Sequence, residues 1–456
     1  MGGCEGDRLS NLPRNIMDNI LKSLSVVEAV RTSILSREWR YKWVTIPHLC
    51  FNWKTFPPKS TQKYKPSSVI YQVLLLHKGP IVKFSLKTGY PVIYIDHLDQ
   101  SLQFLSNHPI EELTLDYHPL RPISHFLFAF EHLKHLYLVD AALRPPPTFK
   151  GLGRLVTLHL EQVYFLPGEL KKFITQCPVL ECLNLIDTCD AYRWYELQNI
   201  DTPNLKSFYF SGFFILINFK NAPLLTELSM MSSSYGVNDY QNDVIEYVDP
   251  FGDIAMLAYD DPLFDSQLIE FLNRLSSITR LELDGCVLYV LSRFGLPQKL
   301  PHNLNFLHFL SFPRISFSSI SEVSCAVCLI RSSPNLRSLE ITVSDTTISR
   351  LSTSSDVPEM KTTAEFLMKM QKEGEFPVMS RLEYVKIEAL SGLEPEMEFV
   401  KLLLSAATVL SKLEICSIYS GAGSEAGSKM FNELLSFRPS FPNVQFILEH
   451  LNLNPI

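Results

Sequence analysis

One six-residue pattern constrains this chain more than any other feature. It is apolar-x-x-apolar-x-apolar, and it runs through most of the 456 residues. It appears as Ile81–Phe84–Leu86, Ile110–Leu113–Leu115, Leu133–Leu136–Leu138, Leu155–Leu158–Leu160, Leu180–Leu183–Leu185, Leu205–Phe208–Phe210 and Leu225–Leu228–Met230. After a less regular stretch it returns as Ile278–Leu281–Leu283, Leu304–Leu307–Phe309, Leu336–Leu339–Ile341, Leu382–Val385–Ile387 and Leu410–Leu413–Ile415. A weaker copy, Ile254–Leu257–Tyr259, fills the largest gap of the first half.

The last two apolar positions are two residues apart, so they share one face of a strand. Successive starts in the first run lie 29, 23, 22, 25, 25 and 20 residues apart. That is close to the period of about 20–29 residues of leucine-rich arrays. Several triplets follow a helix-like segment ending in Pro-x-Leu, as in ELKKFITQCPVLECLNL and AVCLIRSSPNLRSLEI. The order is therefore helix, tight turn, strand. Each such unit leaves a face of its strand and helix bare, so neighbours must stack to bury it. A curved solenoid with a parallel sheet on its concave side is expected. The polar stretches 231–249 and 342–362 read as long surface loops, and Tyr419 to Lys429 as a connector before a last helix. The terminal NVQFIL reads as a closing strand.

The first fifty residues follow a different rule. Leu12, Ile16, Ile20 and Leu24 recur every four residues after Pro13, with Met17 and Leu21 beside them, which predicts a helix. Ser25 and Glu28 have capping-box spacing and predict a second helix, with Val27, Val30, Ile34 and Leu35 as its apolar side. Ser36 can cap a third, REWRYKW, with Trp39 and Trp43 one turn apart. Residues 51–66, with three prolines and four lysines, read as a linker.

Composition narrows the function classes. The chain is 46% hydrophobic, which argues for a folded protein, and its net charge of −7 with interspersed signs gives no basic stripe for nucleic acid. The nine cysteines form no regular framework and fit free thiols in a reducing compartment, the nucleus or cytoplasm. No apolar run approaches a membrane span, and MGGCEGD has no signal-peptide core. Gly6 stands where a myristoylation motif wants Ser or Thr.

No catalytic constellation converges. Cys325 and Cys328 have CxxC spacing but no matching second pair, and their apolar run predicts core cysteines rather than zinc ligands. Cys177, Cys182 and Cys189 sit around a repeat strand and read the same way, and His132 and His135 read as surface residues. There is no phosphate-binding glycine motif in a strand-turn-helix context. Binding rather than turnover is expected, with no catalytic residue and no metal.

Asp7, Leu9, Leu12, Pro13, Ile16, Ile20, Leu24 and the run AVRTSILSREWRYKW resemble an F-box of the plant type. Met379 to Ile418 resembles the FBD segment found at the C-terminus of plant F-box proteins with leucine-rich repeats. With the triplets between, the chain is similar to the plant F-box/FBD/LRR-repeat family. The expected fold is α/β: a three-helix F-box over 7–50, a linker over 51–66, a leucine-rich solenoid over 67–378 with helices on its convex side, and a closing FBD segment over 379–456. The resemblance implies docking on a Skp-family adaptor, and through it a cullin, as the substrate receptor of a ubiquitin ligase. The adaptor-binding residues would be Leu9, Leu12, Pro13, Ile16, Ile20, Leu24, Val30, Leu35 and Trp39. Three short helices cannot bury so many apolar side chains alone, and an exposed apolar patch marks a partner site. A leucine-rich interaction scaffold, an F-box protein acting outside a ligase, and a mere N-terminal cap for the solenoid are the other readings.

Residues flanking the second apolar position of each triplet point away from the core. In the middle of that row His135, Tyr137, His159 and Tyr209 form the expected contact patch for an unidentified protein substrate. The row's cations, Arg280, Lys386 and Lys412, are too far apart for an inositol polyphosphate, so no cofactor is expected.

Overall fold

The computed structural model describes residues 12–52, 66–87, 98–166, 168–190, 198–212, 218–232, 244–248, 254–258, 277–293, 299–300, 302–344, 357–418, 425–437 and 443–450. The chain forms two compact units, residues 1–205 with 219–222, and 206–218 with 223–456.

The first unit opens with α1 (Arg14–Ser23) and α2 (Val26–Arg31). Ser25 caps α2: its Oγ accepts from the Glu28 amide at 3.3 Å, while Glu28 accepts from the Ser25 amide at 2.9 Å. The expected third α-helix does not form. A 3₁₀ turn, Thr32–Ile34, and hydrogen-bonded turns lead to a second 3₁₀ stretch, Lys42–Thr45. Trp39 and Trp43 nevertheless both turn inward, and the Trp39 amide donates to Ser36 Oγ at 3.4 Å.

β1 (His48–Asn52) follows at once and pairs in parallel with β2 (Lys83–Lys87), which is preceded by α3 (Pro66–Leu76). Phe51 and Asn52 thus lie in a strand and Pro66 in a helix, although the sequence reads 51–66 as linker. Residues 53–65 lie outside the described set. α4 (Leu98–Leu105), β3 (Glu112–Pro122), β4 (His135–Leu143), β5 (Thr157–Phe165), α5 (Glu169–Thr175) and β6 (Cys182–Ile186) continue the unit. Its six parallel strands stand in chain order. β7 (Cys189–Asp190) adds to β5, and β8 (Gln198–Asp201) pairs with β10 (Asn218–Asn221).

Register explains the triplets. Leu113, Leu136, Leu158 and Leu183 stand side by side on successive strands, all fully buried. Leu49 pairs with Phe84 and Phe51 with Leu86, so Ile46–Leu49–Phe51 is a further triplet that the sequence reading passed over. The backbone agrees: the amide after each first apolar residue donates to its counterpart one strand back, as from Glu111 to Val82 and from Val82 to Pro47.

The second unit holds β9 (Ser207–Gly212), β11 (Glu227–Ser232), β14 (Arg280–Leu283), β15 (Phe309–Ile315), β16 (Ser338–Val343), β17 (Tyr384–Leu390), β18 (Lys412–Ser417) and β19 (Gln445–His450), parallel and in that order. Its helices are α6 (Gly285–Arg293), α7 (Ile320–Arg331), α8 (Val357–Glu373), α9 (Glu394–Ala406) and α10 (Glu425–Phe437). The terminal NVQFIL does close the sheet, as β19.

Three expectations are corrected here. Ile254 to Ala258 forms β13, antiparallel to β12 (Val244–Val248), so the weak triplet is not part of the array; β11 pairs directly with β14. The stretches read as loops carry β12 and the starts of α8 and α10, while 233–243, 345–356 and 419–424 lie outside the described residues. Finally, Leu281 pairs with Leu310 and Leu339 with Leu310, so the triplet of β15 is Leu307–Leu310–Phe312. Leu304 holds the turn that closes onto Leu307, whose amide donates to it at 3.1 Å. Because that turn position is apolar, the pattern also matches three residues early.

Seven residues past the first apolar position the backbone turns left-handed without glycine. Asp140, Gln162, Asp187, Arg314 and Ala389 have φ of 55°, 52°, 44°, 56° and 59°. This bulge drives the next residue inward: Ala141, Val163, Thr188, Ile315 and Leu390 are all buried. Among them Thr188 alone is polar, and its hydroxyl donates to the Leu160 carbonyl at 3.1 Å. In the second unit Glu396, fully buried at the start of α9, clamps the preceding loop by accepting from the Ser391, Gly392 and Leu393 amides and the Ser391 hydroxyl.

Candidate functional site: an apolar helical face and an outward strand row

α1 divides its apolar residues between two sides. Met17 and Leu21 go inward with Val26, Ala29, Trp39 and Trp43. Ile16 is 41% exposed, Pro13 is exposed, and Leu12, Ile20, Leu24 and Val30 are half-buried. Leu35 is 49% exposed. Leu9 lies outside the described residues. Trp39, 1% exposed, cannot touch a partner directly: it supports the helices from below, a correction to its reading as a contact residue.

The sequence reading put Ile34 on the apolar side of α2 but left it out of the adaptor-binding set; it is 87% exposed. The chain has by then tightened from α to 3₁₀ geometry, where about three residues make a turn, and the side chain swings off the α-helical stripe. Nothing in apolar periodicity signals that change.

The same unit places the predicted row on its strands. His135 and Tyr137 lie on β4 and His159 on β5, opposite Tyr137. The Tyr137 and His159 rings are 5.5 Å apart between centroids. His159 Nδ1 stands 3.4 Å from the Asn184 side-chain amide, and its Nε2 stands 3.6 Å from Glu161 Oε2. His135 neighbours Glu112 and Thr157. Glu112 is ion-paired to Lys83 at 2.6 Å, which holds its carboxyl below the usual range. Tyr209 lies on β9, opposite Ser229. Glu161, missed because the row was read only as far as the two residues beside the middle apolar position, extends the same face two residues beyond His159.

The second unit's row has another character. Arg280 donates from Nε to Glu282 at 2.9 Å, Lys386 pairs with Glu388 at 2.6 Å, and Lys412 pairs with Glu414. The three cations are therefore neutralised by carboxylates of their own strands. With the corrected frame of β15, Phe309 and Ser311 stand in this row, opposite Arg280 and Glu282.

Cys325 and Cys328 lie buried on α7, and burial pushes the Cys328 thiol up to about 11. Cys177 is likewise buried and pushed up to about 12. Thiols held protonated in this way are poor nucleophiles and poor ligands. Among the described residues no cluster of His, Cys, Asp or Glu suits a metal ion, and no helix is long and apolar enough to cross a membrane.

Comparison with known proteins assigns three segments. The F-box domain family matches residues 9–49, the family described as FBD-associated F-box protein At5g56370, LRR repeats, matches 98–248, and the FBD family matches 378–415. The chain is 30% identical over 448 residues to F-box/FBD/LRR-repeat protein At1g13570 of Arabidopsis thaliana, covering 97% of this chain and 98% of that one. Putative F-box/FBD/LRR-repeat protein At5g44950 of the same plant is 24% identical over 455 residues, covering 94% and 96%. F-box/LRR-repeat protein 25, also from Arabidopsis thaliana, is 28% identical over 196 residues, 42% of this chain and 72% of that one.

Proposed function

Because the chain belongs to the F-box/FBD/LRR-repeat family, we propose that it is the substrate-recognition subunit of a Skp–cullin–F-box ubiquitin ligase. The observation that carries this reading is the exposed apolar set at Ile16, Ile34 and Leu35, beside half-buried Leu12, Ile20 and Leu24. Each such side chain is worth about 2 kcal/mol when a partner covers it. That is enough for a Skp-type adaptor to dock without any rearrangement of the inner residues Met17, Leu21 and Trp39.

On this reading the chain performs no bond chemistry. It holds a protein substrate on the repeat strands, with His135, Tyr137, His159 and Tyr209 as the contact patch. Its contribution is effective concentration: the substrate is kept near a ubiquitin-loaded conjugating enzyme supplied by other subunits.

The test is co-purification of the full chain with adaptor and cullin. Ile34→Asp with Leu35→Asp abolishes capture of both while leaving the circular-dichroism spectrum and melting temperature of the chain in place. Leu12→Ala with Pro13→Ala weakens capture. Trp39→Ala also reduces capture, but together with stability, as its burial requires. Adaptor capture without cullin would replace the ligase role by an F-box protein acting outside a ligase. Capture of neither by the wild-type chain would leave a leucine-rich interaction scaffold.

A further inference from the structure

The first strand of the first unit and the last strand of the second are finished differently. β1 packs against α2, and its inward side chains Leu49 and Phe51 are fully buried. β19 pairs with β18 on one side, and among the described residues no strand pairs with it on the other. Phe446 and Leu448 stand beside Leu413 and Ile415, which are 2% and 0% exposed, yet both are only half-buried. Ile447, on the other face beside Glu414, is half-buried too. Terminal repeats of stacked arrays need a polar outer side to stay soluble. Open sheet edges are blunted by lysine, proline or a bulge. β19, QFILEH, has no lysine and no proline, and its register with β18 runs unbroken from Gln445 to His450.

The backbone shows which groups the edge leaves open. The Gln445 amide donates to the Ser411 carbonyl, on the β18 side, at 2.8 Å. Alternation along the strand then turns the N–H and C=O of Phe446 and Leu448 to the open side. The strand is also complementary to itself. Set antiparallel to a copy of itself about a two-fold axis at Ile447, Ile447 meets Ile447 of the copy, Phe446 meets the copy's Leu448, and Gln445 meets the copy's Glu449. Apolar groups meet apolar groups on both faces, and an amide meets a carboxylate. Phe446 and Leu448 become the hydrogen-bonded pairs, so each pair uses the backbone groups that the edge leaves open. Shifting the register either way instead sets Ile447 against Gln445 or Glu449.

We propose that β19 is a homodimer interface, pairing antiparallel with β19 of a second copy of this chain about a two-fold axis at Ile447. Each copy supplies the strand that the other's last repeat lacks, in the isologous arrangement usual for two-fold dimers. The proposal stands apart from the receptor reading, since it uses neither the N-terminal helices nor the outward row of the first unit.

The test uses the full chain. Sedimentation velocity finds a concentration-dependent dimer of the wild type. Ile447→Lys sets two ammonium groups against each other across the axis and weakens dimerisation by about tenfold or more, with the melting temperature unchanged. Ile447→Glu does the same, and mixing the two variants restores the dimer. Ile447→Cys forms a covalent dimer on mild oxidation, because a non-hydrogen-bonded antiparallel pair brings its Cα atoms to about 4.5 Å, within disulfide reach. Peptide mass spectrometry places that bond between the two introduced thiols, and Gln445→Cys gives no such bond. A wild-type chain that stays monomeric, a dimer that Ile447→Lys leaves intact, or a dimer in which Ile447→Cys fails to cross-link would overturn the proposal. A dimer that appears only after removal of residues 451–456 would also overturn it, by giving the edge to the chain's own terminus.

Discussion

The inward faces of the two units are built alike and their outward faces are not. Inside, Leu158 of the first unit and Leu339 of the second occupy equivalent register positions, both fully buried between identical neighbours in kind. Outside, β14, β17 and β18 carry carboxylates matched by lysine or arginine of the same strand, whereas β4 to β6 carry Tyr137, His159 and Asn184 around one carboxylate facing a histidine. A row of compensated ion pairs is expensive to strip of water and offers little new attraction. A row of aromatic and imidazole groups is cheaper to desolvate and gives large contact area at low entropy cost. The repeat therefore fixes the core and leaves the outer row free to differ.

The largest expected effect tests the sameness of the cores. Leu158→Ala and Leu339→Ala each lower unfolding free energy by about 3 kcal/mol in urea titrations followed by far-ultraviolet circular dichroism. Markedly unequal losses would break the equivalence of the inner faces.

Next comes a property confined to the first unit. His77, just after α3, is buried, and neither ring nitrogen finds a hydrogen-bond partner among the described residues. Burial first, and then neighbouring His108, push its imidazole down to about 4. Its unfolded value lies near 6.5, so the unfolded chain takes up the proton first. The stability due to the neutral ring is full above pH 6.5 and is lost as pH falls toward 4. Between pH 7 and pH 5 this amounts to about 2 kcal/mol, and His77→Leu removes that part of the slope in denaturant titrations.

Smaller effects sharpen the contrast of the outer rows. Arg280→Ala loses its stacking on Phe309 and its bonds to Glu282, at a cost of about 1 kcal/mol that shrinks in high salt. Lys386→Ala changes stability by less than about 0.5 kcal/mol, because its pair with Glu388 is half-exposed. A large loss at Lys386 would mean that the second unit's row is structural rather than self-neutralised surface.

The triplets were legible because burial on one strand face leaves a period that no other constraint erases. Legibility failed where another element borrowed the same residue types. Leu304 is apolar because it sits in the turn beneath Leu307, which shifted the apparent frame of β15 by three residues. Ile254 and Leu257 match the pattern yet belong to an antiparallel strand, since alternation does not encode the direction of the partner. Trp39 is buried and Ile34 stands out because the turns between 32 and 45 are 3₁₀ or irregular, and a 3.6-residue wheel does not place side chains there. The outer row was readable as positions but not as pairings. Whether a glutamate meets a lysine two residues away, as Glu388 does, or one on the next strand, as Glu112 does, depends on rotamers, which no pattern of residue types specifies.

Ile46 closes the last 3₁₀ turn of the N-terminal helices and is also the first side chain of the first buried triplet. The joint is tight: the Lys78 amide donates to the Val44 carbonyl at 2.8 Å, and a Cβ on Gly79 would come within 2.9 Å of the Thr45 carbonyl. A cut at residue 50 that removed the N-terminal helices would remove most of a repeat as well. Phe84 and Leu86 would lose their neighbours Leu49 and Phe51, and β2 would become a raw edge able to recruit other chains. Charge placed at Ile34 and Leu35 would alter the exposed helical face and leave this edge paired.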